Sequence, residues 1–176
     1  MRNCLVIALA LGACHAAPSA EPAAQNATVS APAPQAGAAP VPAPDSAEAA
    51  AAVVQLYYAA IAAGDYAAAY RQWADGGRAS RQDEAGFRKG FADTRAVRAT
   101  LGPPGTVEGA AGSLYVTVPV TVEAALADGT RQRFIGSYVL RRVNDVPGAT
   151  AEQRRWHIQS ADLRADQAGR RSASRI

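Results

Sequence analysis

The sequence predicts an α+β domain in which N-terminal helices pack on a strongly curved antiparallel sheet, and three observations support this fold class. Apolar residues recur at helical spacing from about residue 46 to 92. From Thr94 onward apolar and polar residues alternate, which is typical of strands with one buried face. Asp128-Gly129 is a hairpin turn sequence inside this alternating region. Helices that come first and strands that follow are typical of this class.

Two helices are predicted at the start of the domain. Ser46 or Asp45 can cap the first helix, whose apolar positions lie on one face, and Gly64 ends it. Asp65 can cap the second helix, and Asp75-Gly76-Gly77 stops it. The two helices therefore form a bent hairpin.

A third helix is predicted over about residues 82 to 92, where Phe87 and Phe91 are four residues apart and share the buried side. Thr94 to Leu101 then makes the first strand, and Pro103-Pro104-Gly105 ends it. The chain thus changes from helix to sheet at about Thr94.

A long strand and its return strand form the main hairpin of the predicted sheet. The alternating apolar residues of the long strand are Leu114, Val116, Val118, Val120, Val122 and Ala124. Pro119 in this strand predicts an edge or a bulge, and Gly136 in the return strand predicts a bend. The last strand places Trp156 and Ile158 on one face and His157 on the other.

The N-terminus has the features of an export signal. Arg2 gives a short positive region, and Leu5 to Ala13 form an apolar core that is too short to span a bilayer stably. The sequence Leu11-Gly12-Ala13-Cys14 resembles the lipobox of bacterial lipoproteins. The resemblance implies that residues 1–13 are a signal peptide and that Cys14 receives lipid and becomes the first residue of the mature protein.

The cysteine count agrees with this interpretation. Cys4 lies in the predicted signal peptide and Cys14 at the lipidation site, so no thiol is left for a disulfide or for catalysis in the domain. Since the lipoprotein modification carries more than one acyl chain, we expect stable anchoring. In the lipoprotein pattern, His15 after the cysteine implies the outer membrane facing the periplasm.

Residues 14–45 are rich in Ala and Pro and hold no aromatic residue, so we expect a disordered linker. The domain is predicted over residues 46–164. Residues 165–176 are polar and cationic, which predicts a disordered tail. The formal net charge of +3 is too weak to indicate nucleic acid.

The domain as a whole resembles the nuclear transport factor 2-like (cystatin-like cone) superfamily. The stretches that carry the resemblance are VVQLYYAAIAAGDYAAAYRQW, GFRKGFADT and RRWHIQSADL, and it covers about residues 48 to 163. The resemblance implies the curved-sheet fold. It says little about function, because the superfamily includes isomerases, dehydratases, cyclases, transport factors and domains without a pocket.

Enzymes of this superfamily generally place an Asp or His inside the pocket as general acid or base. The weak catalytic candidates are therefore His157, Asp65 and Asp93. Each also has a simpler structural role, since His157 can be an exposed residue on the polar face of the sheet and the two aspartates can be helix-cap or loop residues. Six aromatic residues converge where helices meet the sheet, and they either line an apolar pocket or fill the interior. These residues are Tyr57, Tyr70, Trp73, Phe87, Tyr138 and Trp156.

No nucleotide-binding glycine motif, nucleophile elbow or His/Cys metal spacing is present in the sequence, so we expect no metal and no cofactor. Arg141-Arg142 and Arg154-Arg155 flank one loop and suggest either a basic patch or solvated strand ends.

The expected function is a lipid-anchored, non-catalytic envelope domain that binds a small apolar ligand or a protein partner, including a second copy through the sheet. The alternatives are an isomerase, dehydratase or cyclase acting on an apolar cyclic substrate, and a structural accessory protein of the envelope.

Overall fold

The computed structural model describes residues 41–166, so the predicted signal peptide, Cys14, most of the linker and the tail from residue 167 lie outside the described residues. The helices are α1 (Ala47–Ala62), α2 (Tyr66–Tyr70) and α3 (Glu84–Gly90), with a 3₁₀ turn at Arg78–Ser80. The strands are β1 (Thr94–Leu101), β2 (Glu108–Ala110), β3 (Ser113–Leu126), β4 (Arg131–Val143) and β5 (His157–Ala165). The α+β prediction is confirmed.

Side-chain caps start all three of these helices. Ser46 Oγ accepts a hydrogen bond from the Ala49 amide at 3.1 Å, and Asp65 Oδ1 accepts one from the Ala68 amide at 2.9 Å. Asp83 does the same for α3, which therefore starts two residues later than the predicted Gln82. Each cap satisfies an amide that has no partner within its helix.

Helix α2 is shorter than predicted because the sheet recruits the segment that follows it. The helix ends at Tyr70, and Trp73 forms a parallel bridge with Ile158 at the start of β5. The Ala74 amide donates to Ile158 O at 2.9 Å, and the Ile158 amide donates to Gln72 O at 2.8 Å. Backbone pairing with β5 replaces the last turn of the predicted helix.

The strands form an antiparallel sheet in the order β1-β3-β4-β5, with the short β2 also paired to β3. The β3–β4 pairing is continuous from Ser113 opposite Val143 to Ala125 opposite Arg131. Sequence reasoning missed β2, which joins β3 through Ala111 and Gly112, both with positive φ.

Pro119 does not mark an edge strand, since β3 is paired on both sides. On the β1 side, however, regular pairing ends at Leu101 opposite Val120. The Gly102 amide still donates to Pro119 O at 2.9 Å. Proline has no N–H to donate in return, and none is required because β1 has already ended. The proline thus lies where one neighbouring strand stops.

Gly136 is required by a close approach between β4 and β5. A Cβ at this position would overlap the carbonyl oxygen of Asp162. The pairing of these strands also shifts between Val139 and Leu140. The predicted irregularity at Gly136 therefore has a specific cause, which is the backbone of the adjacent strand.

The core lies between the helices and one face of the sheet, called the inner face below. Helix α1 contributes its stripe of Ala50, Val54, Tyr57, Tyr58 and Ile61. The even-numbered residues from Val116 to Val122 of β3 face it, as the alternation predicts. The odd-numbered residues lie on the opposite, outer face.

Candidate functional site

The six aromatic residues predicted to converge all belong to the buried core, and the rings of all but Trp156 pack against another ring of the set. Each is at most 8% exposed. The ring of Tyr57 is 6.1 Å from that of Trp73, 6.3 Å from Phe87 and 5.9 Å from Tyr138. Tyr70 stacks at a tilt on Phe87 at 5.5 Å. These distances are those of packed rings in a core.

A pair of hydroxyl groups lies within this aromatic cluster. Tyr58 Oη and Tyr138 Oη are 2.6 Å apart and buried. Burial is the main reason that the pKa of Tyr58 rises to about 12, and burial together with the neighbouring Tyr57 and Tyr58 hydroxyls raises that of Tyr138 further. Sequence reasoning missed Tyr58, although its position four residues after Val54 places it on the buried stripe of α1.

Another polar group of the cluster is buried without a partner. Trp156 Nε1 has no hydrogen-bond acceptor among the described residues. An unpaired buried indole N–H lowers stability. The aromatic cluster therefore holds buried polar atoms as well as rings.

Asp65 and Asp93 lie away from the aromatic cluster. Asp65 is exposed and its carboxylate caps α2. Asp93 is also exposed, and its backbone carbonyl accepts a hydrogen bond from the Ala127 amide at 2.8 Å. The structure places both residues at helix and strand connections and does not bring them together with His157.

His157 lies at the start of β5, and its side chain is 14% exposed. Its Nε2 is 2.8 Å from Glu152 Oε1, and its Nδ1 is 3.1 Å from the carbonyl oxygen of Arg155. Both partners are acceptors, so both contacts are hydrogen bonds only when the imidazole carries two protons. The hydrogen bond from His157 is the main reason that the pKa of Glu152 is lowered.

A cleft of about 350 Å³ opens beside His157, where β4 ends and β5 begins, and we call it the His157 cleft. The segment from Arg71 to Gly76 forms one wall, and Arg141, Arg142 and Val143 form another. Glu152 and Gln153 complete it. The structure thus places His157, one of the sequence-predicted catalytic candidates, in a pocket.

The double-arginine pairs around the loop do not form an uncompensated basic patch. Arg142 is 5% exposed and pairs with Asp145 at 3.1 Å, while its Nε donates to the carbonyl of Arg154. Arg154 also pairs with Asp145, at 3.6 Å, and Arg155 pairs with Glu152 at 3.3 Å. Three of the four arginines are thus paired with the two loop carboxylates Asp145 and Glu152.

A second pocket, of about 580 Å³, lies at the hairpin end of the sheet. Val97, Ala124 and Phe134 supply apolar lining, and Arg98 and Glu123 belong to its charged part. No local pattern in the sequence predicts this hairpin-end pocket, because its walls come from β1, β3, β4 and β5 together.

The outer face of the sheet is uncharged at its centre on β3 and β4. On β5, Asp162 lies beside Ser137 and Arg164 beside Ile135, and Asp162 and Arg164 pair with each other at 3.2 Å. Cross-strand neighbours there are Thr117 and Val139, Pro119 and Ser137, and Thr121 and Ile135. Ile135 is 46% exposed. Toward the hairpin end follows a row of alternating charge that runs across the sheet, Arg98, Glu123, Arg133 and Asp166.

Within residues 41–166, no helix has the length and apolarity that a bilayer crossing needs. The same part of the chain brings no three His, Cys, Asp or Glu side chains together in a metal-ligating group.

Several solved structures are similar to the chain. One is a candidate dehydratase of the NTF2-like family from Streptomyces avermitilis, 16% identical, with a TM-score of 0.47, covering 68% of this chain and 95% of that one. Another is Aln2 from a Streptomyces species, also 16% identical, with a TM-score of 0.47, covering 76% of this chain and 99% of that one. Kfla4162 from Kribbella flavida is 16% identical, with a TM-score of 0.46 and coverage of 69% and 93%. No protein-family model matches the chain, and no curated protein sequence does.

Proposed function

We propose that this chain is an exported protein, anchored through lipid on Cys14 to the outer membrane and facing the periplasm, whose domain acts by binding rather than by catalysis. The observation that carries the binding proposal is the packing of the aromatic rings. A catalytic cone would hold its substrate between helices and sheet, and here Tyr57, Trp73, Phe87 and Tyr138 occupy that space against one another.

The positions of the charged candidates also favour binding over isomerase, dehydratase or cyclase chemistry. A general base must lie within hydrogen-bond reach of the proton it removes. Asp65 and Asp93 are exposed at the connections of α2 and β1, and both nitrogens of His157 are engaged by Glu152 and Arg155. His157 shares its cleft with Trp73 of the cluster, and neither Asp65 nor Asp93 lines that cleft.

The partner we propose is a second copy of the chain, docked on the outer face. Its centre is uncharged on β3 and β4, and Ile135 is a large apolar residue left 46% exposed there, next to the Asp162–Arg164 ion pair of β5. Apolar residues that remain exposed at the centre of a sheet, with charges beyond them, are typical of an interface.

The order of residues across the sheet is self-complementary. A cross-strand row is the set of residues that lie side by side across the strands. A twofold axis parallel to the strands, between β3 and β4, stacks each row on the same row of the partner in reverse order. Thr121 then lies opposite the partner's Ile135, and Glu123 lies opposite the partner's Arg133. The same operation places Arg98 opposite the partner's Asp166. Each positive charge of the alternating row therefore meets a negative one.

Sedimentation equilibrium of the full chain in a Cys14→Ser background tests this interface. Ile135→Arg is expected to convert a dimer to a monomer, because it places a charge at the centre of the apolar contact. Leu56→Arg is the matched control, since Leu56 is 58% exposed on α1, and it should leave the mass unchanged. A monomeric wild-type chain at every concentration would contradict the dimer and direct the search to another envelope protein.

The hairpin-end pocket supports a second candidate, the binding of a small apolar ligand. Its volume of about 580 Å³ lies in the range of ligand sites, and Phe134 and Val97 give it apolar lining. Native mass spectrometry of the protein from its own envelope extract would reveal a retained small molecule, and Ala124→Trp, which fills this pocket, should abolish the added mass.

A further inference from the structure

The guanidinium of Arg141 is held in place through Nε, while its two terminal nitrogens donate to no residue among 41–166. Its Nε donates to Ser113 Oγ at 3.1 Å, and Ser113 is only 1% exposed. Among residues 41–166, no carboxylate lies within 4.0 Å of Arg141, and its two terminal nitrogens have no acceptor. A half-buried guanidinium of this kind presents a fixed fork of donors to the His157 cleft.

Arg71 is the second cation that lines the cleft without a carboxylate partner in the described part of the chain. It is exposed and follows α2 directly. Arg142, by contrast, is 5% exposed and its terminal nitrogen pairs with Asp145, so it is not available to a ligand in the cleft. The cationic character of the cleft therefore comes from Arg71 and Arg141, with His157 beside them.

Two carboxylates line the same cleft and oppose an anion. Glu152 is already shared between His157 and Arg155, which neutralise it locally. Asp75 is exposed, at a positive φ of 57° in the turn after Trp73, and its charge reduces the attraction. Arg71 and Arg141 therefore bring two positive charges to the cleft against the one remaining negative charge of Asp75.

We propose that the His157 cleft binds the phosphate or carboxylate group of an anionic molecule, with Arg141 as the bidentate anchor and Arg71 as the second cation. A planar guanidinium fixed at Nε matches the spacing of two oxygens of either group. The cleft of about 350 Å³ has room for a small organic anion or for one lipid head group. On β4, Arg141 lies four residues from Ser137, the middle of the uncharged outer-face centre.

The test is a titration of the full chain, in the Cys14→Ser background, with inorganic phosphate and with acetate at constant ionic strength and neutral pH. Binding is followed by the nitrogen and proton shifts of the arginine Nε–H groups. Arg141→Gln and Arg71→Gln should each weaken binding, the first by about tenfold. Asp75→Asn should strengthen it by about two- to threefold, because it removes the opposing charge. Arg95→Gln is the control, since Arg95 is exposed on β1 outside this cleft.

The source of the anion is distinguished in a second arm with vesicles of phosphatidylglycerol in phosphatidylcholine. A loss of vesicle binding in Arg141→Gln, relative to Arg95→Gln, would identify a lipid phosphate. Sensitivity to Arg141 with free anions alone would identify a soluble molecule. Equal binding in wild type, Arg141→Gln and Arg71→Gln overturns the proposal. Arg71→Gln keeps the test valid if Arg141→Gln does not fold, because Arg71 is exposed.

Discussion

Tyr58 and Tyr138 share a hydrogen bond of 2.6 Å between their hydroxyl groups, and this bond links α1 to the centre of β4 inside the core. The two residues are 80 positions apart in the chain. Their rings also meet edge to face at 6.0 Å. The bond therefore links the helical layer to the sheet within the buried core.

Removing both hydroxyls should cost less than the sum of the two single removals. Tyr58→Phe leaves the Tyr138 hydroxyl without this partner, so we expect a loss of about 1–3 kcal/mol in the free energy of unfolding. The double variant Tyr58→Phe/Tyr138→Phe should cost less than the sum of the single variants. Urea unfolding of the four proteins measures the coupling. Additive single costs would contradict a shared hydrogen bond.

Alkaline pH should destabilise the domain. Burial raises the pKa of Tyr58 to about 12 and raises that of Tyr57 and Tyr138 above their ordinary range, whereas an unfolded tyrosine ionises near 10. Above about pH 10 the unfolded chain loses these protons and the folded one keeps them, so stability falls as the pH rises. Below that pH the three groups cause no such change.

The measurement is the urea midpoint across alkaline pH, with tyrosinate absorbance as a second signal. Tyr58→Phe/Tyr138→Phe should show a smaller loss of stability on raising the pH than the wild type, because two of the shifted groups are gone. An unchanged slope would mean that other groups control alkaline unfolding.

The fold was predictable where local pattern and packing agree. Strand β1 runs over Thr94–Leu101, as the sequence predicts, because alternation and the following prolines both fix it. The end of α2 was not predictable, since Trp73 leaves the helix for a bridge to Ile158, which comes much later in the chain. Helical periodicity carries no information about such a distant backbone partner.

The site was predictable only in its residue types. The sequence singled out His157 and the arginines around one loop, and the structure brings His157, Arg141 and Arg142 to the same cleft. Which arginine stays unpaired depends on where the loop carboxylates lie in the folded protein. The contribution of Arg71 depends on the turn after α2, which the missed bridge at Trp73 determines.

Gly136 should tolerate no side chain. Gly136→Ala would place a Cβ against the carbonyl oxygen of Asp162, so β4 and β5 must separate and we expect a loss of several kcal/mol, about 3 or more. Gly90→Ala is the matched control, because its Cβ meets nothing within 4 Å and it lies in α3. It should be neutral or stabilising by up to about 1 kcal/mol. Thermal unfolding of both variants compares them, and equal melting temperatures would contradict the close approach.

Cys14 is expected to determine where the protein resides. Cys14→Ser removes the thiol that we propose receives lipid, so we expect an unprocessed precursor that carries no acyl chains. Fractionation and intact mass measure the location and the added lipid. Cys4→Ser is the control. It removes the other thiol, which lies ten residues earlier in the predicted signal peptide, and it should leave processing unchanged. A Cys14→Ser protein that is still cleaved at the same site and membrane-bound would exclude lipidation as the anchor.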